Sequence, residues 1–83
     1  MNKPISKQRG SREQTKMRVL LVAKFLNEGR KLSANDICRR LDLQYGIIAD
    51  RKTIMSDVQA VDKIMPIEVI TGSRGGYQKM KFY

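Results

Sequence analysis

Apolar positions recur at helical spacing along most of this chain and at alternating spacing near its end, which predicts three helices followed by a β-hairpin. The first apolar block runs from Met17 to Leu26. At about 100° per residue, Val19, Val22, Ala23 and Leu26 centre on one side, with Leu20, Leu21 and Phe25 on the flanks. Lys16, Lys24, Asn27 and Glu28 fall opposite. An apolar arc wider than a one-sided surface helix needs marks the central core helix of a three-helix unit, with a partly exposed dimer face as the alternative. Ser11 and Gln14 form an S-x-x-Q capping box at its start, and Gly29 suits a left-handed end.

The second helix opens at Ser33, with Asp36 placed to complete a capping box. Ile37, Cys38 and Leu41 share its buried face, Leu43 is a candidate to close it, and Arg39 and Arg40 point away. The pattern breaks around Gly46, and Ile47 and Ile48 form a short apolar plug. Asp50 then suits the N-cap of a third helix, where its carboxylate meets the positive end of the helix dipole. Ile54, Val58, Val61 and either Ile64 or Met65 are its buried positions. Lys52, Thr53, Ser56, Gln59 and Lys63 are left outward or on the flanks, with Arg51 free at the first turn. Asp57 breaks this cationic pattern and is expected to pair inside the protein, with a basic group or a backbone donor.

Pro66 stops the third helix. The β-branched run IEVIT predicts a strand, GSRGG a tight turn, and YQKMKFY a returning strand. Alternation places Gln78, Met80 and Phe82 on one face, and Tyr77, Lys79 and Lys81 on the other. Met80 and Phe82 are the expected packing residues, leaving Lys79 and Lys81 outward. The side taken by Tyr77 stays open, because the paired glycines before it could host a bulge.

Charge turns this architecture toward a partner. In 83 residues there are 17 Lys and Arg against 8 Asp and Glu, a formal charge of +9. One small domain this basic is expected to meet a polyanion, nucleic acid above all. No apolar run reaches the roughly 18 residues that a membrane span needs, and the basic N-terminal stretch lacks the apolar segment of a signal peptide. The single Cys38 cannot form an internal disulfide, and with no histidine a zinc site lacks ligands. A reducing cytoplasm fits this composition. The sequence shows no glycine-rich phosphate loop ahead of a helix and no carboxylate pair placed for acid/base work, so neither an enzyme nor a cofactor is expected.

The expected fold class is therefore mainly α with a small β-hairpin, a winged helix-turn-helix of three-helix core and two-stranded wing over residues 11–83. Residues 1–10 form a basic arm. In such a fold the helix 51–65 enters the major groove and the wing 67–82 touches the flanking backbone. Candidate groove contacts are Arg51, Lys52, Thr53, Ser56 and Gln59, whose side chains suit base edges or phosphates. Arg74 at the turn, Lys79 and Lys81 are the wing candidates, and Arg39, Arg40, Arg9 and Arg12 the candidates for further backbone contacts.

From about Ser11 to Tyr83 the chain resembles the N-terminal winged helix-turn-helix of the WYL-type, DeoR-like bacterial transcription regulators. The residues that carry this likeness are LSANDICRRL for the second helix and YGIIADRKTI for the turn and the start of the third. The aspartate of SDVQAV and the PIEV and RGGY of the wing complete it. The resemblance implies a helix seated in the major groove, a wing on the neighbouring backbone, and control of transcription in a bacterium or a phage. Met55 and Ser56 stand where the family often has an aromatic and an arginine, and the ligand-sensing domain that usually follows has no counterpart here, so no small-molecule ligand is implied.

The expected function is sequence-specific binding of double-stranded DNA as a transcription regulator, a repressor, working as a homodimer because one small module contacts few base pairs. A DNA-architectural or recombination accessory protein of a mobile element, and a winged-helix protein-interaction module, are the alternatives. The basic third helix and wing set the chain apart from the last of these.

Overall fold

The computed structural model describes residues 12–81, which fold as α1 (Arg12–Asn27), α2 (Ala34–Tyr45), α3 (Arg51–Asp62), β1 (Ile67–Ile70) and β2 (Gly76–Lys79). The strands pair antiparallel with Ile67 opposite Lys79 and Ile70 opposite Gly76. This is a winged helix-turn-helix: three helices enclose the core and a hairpin follows the third. The expected Ser11 cap, the basic arm with Arg9, and the packing of Phe82 lie outside the described residues.

The core is assembled from one stripe of each helix. Val22, Phe25 and Leu26 from α1, Ile37 and Leu41 from α2, and Ile54, Val58 and Val61 from α3 are buried together with Leu32, Ile47 and Ile67. Phe25, expected on a flank of α1, is fully buried, whereas Val19 and Ala23 are only partly so and Leu20 is exposed. The buried stripe is thus rotated toward Phe25, the largest apolar side chain of the helix, because its ring removes the most surface from water. Leu43 and Ile48 are also exposed, so neither closes the core, and of the apolar plug after Gly46 only Ile47 is inserted. Met65 packs against the core and Ile64 stays outside, resolving the alternative at the end of α3.

The helix ends show why the chain turns where it does. After α1 the backbone passes through Gly29 at φ +89°. At the start of α2, the Ser33 hydroxyl accepts from the Asp36 N–H while the Asp36 carboxylate accepts from the Ser33 N–H. The Ser33 N–H first, and then the Ser33 hydroxyl, hold the Asp36 carboxyl below the ordinary carboxylate range. Gly46 ends α2 at φ +67°, a left-handed conformation that L side chains seldom adopt. Its N–H and that of Ile47 donate to the carbonyls of Asp42 and Leu41, a closure that drives Ile47 inward and aims the chain at α3. Asp50 caps α3 by accepting from the Thr53 N–H at 2.8 Å.

α3 ends at Asp62, short of the expected residue 65. A residue before proline is pushed out of helical geometry, so Met65 cannot continue the helix into Pro66. The chain tightens through turns instead, and the Asp62 carboxylate accepts the Ile67 N–H at 2.7 Å, joining the helix end to β1.

The hairpin faces differ from the alternation expected. Ile67, Val69, Tyr77 and Lys79 share the face toward the helices, and Met80, expected to pack there, is exposed. Tyr77 decides the side: its N–H and carbonyl exchange hydrogen bonds with Leu32 at 2.7 and 2.9 Å, and it packs against the core. Once one residue of a strand is placed, every other takes its side from the two-residue period. Lys79 is therefore turned toward α1, where its ammonium donates to the Asn27 Oδ1.

Gly76 makes this third strand contact possible. A Cβ there would stand 2.7 Å from the Leu32 carbonyl oxygen and 3.1 Å from the Ser33 nitrogen, both backbone atoms that have no room to yield. Gly76→Ala is expected to cost about 2 kcal/mol and to release the wing: the Leu32 and Tyr77 amides should lose hydrogen-exchange protection while the three helices keep their far-ultraviolet signal. Unchanged protection at both amides would show that the bridge tolerates a side chain.

Candidate nucleic-acid interface

The outward face of α3 follows from what its inward face must bury. With Ile54, Asp57, Val58 and Val61 turned inside, about 100° per residue leaves Lys52, Ser56, Gln59 and Lys63 along the opposite side, and all four are exposed. Arg51 is exposed in the first turn, and Met55 lies toward the hairpin. Thr53 takes a flank and not the outward side. It is half-buried on the α1 side, beside Gln14, Thr15 and Arg18, because it stands one residue before the buried Ile54 on the flank facing α1.

The carboxylates of this segment each have a partner within the fold: Asp57 is buried, and Asp50 and Asp62 stay exposed at the two ends of the helix. Asp57, 5% exposed, receives the fork of the Arg18 guanidinium: Nε to Oδ2 at 2.5 Å and Nη2 to Oδ1 at 3.0 Å. This is the internal pairing expected of Asp57, and it raises the Arg18 pKa further above its ordinary value, chiefly through the hydrogen bond. Asp50 holds the Thr53 amide and Asp62 the Ile67 amide. Each acid of α3 and its N-cap thus serves the fold, while the cations and neutral polar groups point to solvent.

The other candidates divide into two groups. Arg39 on α2, Arg74 in the hairpin loop and Lys81 at the end of the hairpin are exposed. Arg40, expected to point away, is committed to the fold: its guanidinium grips both Glu28 oxygens at 3.0 and 3.1 Å and lies 4.0 Å above the Phe25 ring. A planar cation with a long stem satisfies both partners at once, covering the aromatic ring that the core leaves at its margin. Lys79 is likewise held, by Asn27. Arg12 is the first residue of α1 and is exposed.

Lys31 was missed by pattern reading. Its ammonium donates to the Arg74 carbonyl, tying the loop tip of the wing to the segment before α2. Nothing in the periodicity signals this, since only the bridge between Leu32 and Tyr77 brings the neighbouring residue beside the hairpin. Gln78 adds a second tie by donating to the Gly29 carbonyl. On the solvent face of the hairpin Glu68 stands opposite Gln78, so cationic character is confined to the loop and the strand end.

Between α3 and the hairpin runs a shallow, mostly apolar cleft lined by Met55, Val58 and Gln59 on one side and Ile67, Val69 and Tyr77 on the other, with Asp62 at the helix end. Cys38 is half-buried on α2, and burial pushes its thiol up, so it remains protonated at neutral pH. No group of metal-ligating side chains occurs among the described residues, nor any helix long and apolar enough to cross a membrane. Comparisons with known protein families, with curated proteins and with solved structures found no match to this chain.

Proposed function

We infer that this protein binds double-stranded DNA in a sequence-specific manner and regulates transcription, with α3 in the major groove and the hairpin loop on the flanking backbone. One observation carries the reading: the outer face of α3 is uncovered by the rest of the fold, and each carboxylate of that segment is turned to an internal partner. A helix with cations and amide or hydroxyl donors outward, seated after a tight turn on a second helix, has the chemistry that base edges and phosphates require. The likeness to WYL-type, DeoR-like regulators agrees with it. The protein acts as a homodimer in the cytoplasm, since one module of this size reads few base pairs.

Selection of bound sequences from a random duplex pool with the full chain tests the reading. An enriched palindrome is the expected outcome, and sedimentation should then show two chains per duplex. Enrichment of A·T content alone would replace specific regulation with DNA bending, and failure to bind any duplex at low salt would end the proposal. Lys52→Ala or Gln59→Ala should weaken binding to the selected site by about 1–3 kcal/mol and blur the preference at one or two positions. Arg74→Ala should weaken binding to all duplexes alike. Equal losses on every sequence for Lys52 and Gln59 would reduce them to positioning contacts.

A further inference from the structure

Met55 is apolar yet 48% exposed, although the core directly beneath it is already closed by Ile54 and Val58. Val69, 62% exposed, faces the same cleft from β1. Arg51 and Lys52 are exposed in the preceding turn of α3, and the one charged residue lining the cleft, Asp62, is exposed at the helix end with an oxygen accepting from the Ile67 amide. Two open apolar side chains are far too little surface for a stable protein partner, which needs roughly 800 Å² on each side.

They do match the one apolar group that the major groove displays, the C5-methyl of thymine. Gln59, exposed one turn further along α3, has the amide that pairs with adenine N6 and N7. Residues four apart are separated by about 6 Å along a helix, and stacked bases by about 3.4 Å, so these side chains reach base pairs one or two steps apart. Resting on the DNA-binding reading above, we propose that Met55 is a specificity-determining residue that packs on the methyl group of a thymine one or two steps from an adenine bonded by Gln59.

The test replaces each thymine of the selected duplex in turn by deoxyuridine, which removes only the methyl, and measures affinity of the full chain by fluorescence anisotropy. Wild type should lose about fourfold at one thymine, the factor for one buried methyl group, and Met55→Ala should bind the thymine and uracil duplexes equally. Met55→Leu, which keeps an apolar side chain, should retain the preference. Because Met55 is exposed, the thermal midpoint of both variants should match wild type. Equal affinity of wild type for all thymine and uracil duplexes, with specific binding intact, would overturn the methyl contact and leave the DNA-binding reading standing. A preference that survives in Met55→Ala would assign the methyl to another side chain, and absence of binding to any duplex would remove both readings together.

Discussion

Asp57→Ala should destabilise the fold by about 3–5 kcal/mol, seen as a fall in the urea midpoint with little change in slope. The substitution leaves the Arg18 guanidinium, whose side chain is 14% exposed, without the carboxylate that takes both its Nε and Nη2. A charge held away from water and stripped of its partner is far costlier than a missing contact. Against the 5–15 kcal/mol typical of a domain, that loss puts the protein near the edge of folding. The double variant Arg18→Met, Asp57→Leu removes both charges and supplies apolar volume, and should recover most of the loss. Since this pair joins α1 to α3, its loss should also weaken binding to every duplex by misaiming the outer face. A loss below about 1 kcal/mol in Asp57→Ala would mean that water screens the pair and that the orientation of α3 is set by packing alone. Because Arg18 is raised by its carboxylate partner, the contribution of the guanidinium is lost as pH rises through the folded value.

Binding to duplex DNA should weaken about 150-fold between 50 and 200 mM salt, the loss expected when about four phosphates are neutralised. Arg39, Arg51, Arg74 and Lys81, all exposed on α2, α3 and the hairpin, are the cations proposed for those contacts. Replacing any one by Ala should reduce the slope of log affinity against log salt by about one unit. Arg40→Ala should leave the slope unchanged while lowering the thermal midpoint, because its guanidinium is already occupied by Glu28 and Phe25. A slope that falls equally for Arg40 and Arg51 would show that the ion pair with Glu28 opens on DNA.

The contrast between Arg39 and Arg40 marks where reading the sequence reaches its end. They are adjacent and equally charged but about 100° apart on the helix, Arg39 opposite the buried face and Arg40 on its flank; one is exposed and the other is stacked on Phe25. The partner that separates them, Glu28, lies on another helix end, and no local pattern connects the two. The hairpin gives the same lesson: alternation fixes which residues share a face but not which face is covered, and the bridge from Leu32 to Tyr77 makes that choice.

The chain by itself determined the three helices, the Ser33 and Asp50 caps, the turn at Gly46, the hairpin after Pro66 and the inward pairing of Asp57, since each follows from local hydrogen bonding, backbone freedom or hydrophobic period. Tertiary structure alone decided the rotation of α1 about Phe25, the tethering of Arg40 by Glu28 and of Lys79 by Asn27, the half-burial of Thr53 and the cleft that exposes Met55 beside Gln59. Periodicity tells a side chain which stripe it belongs to; only the packing of distant segments settles whether that stripe meets protein or water.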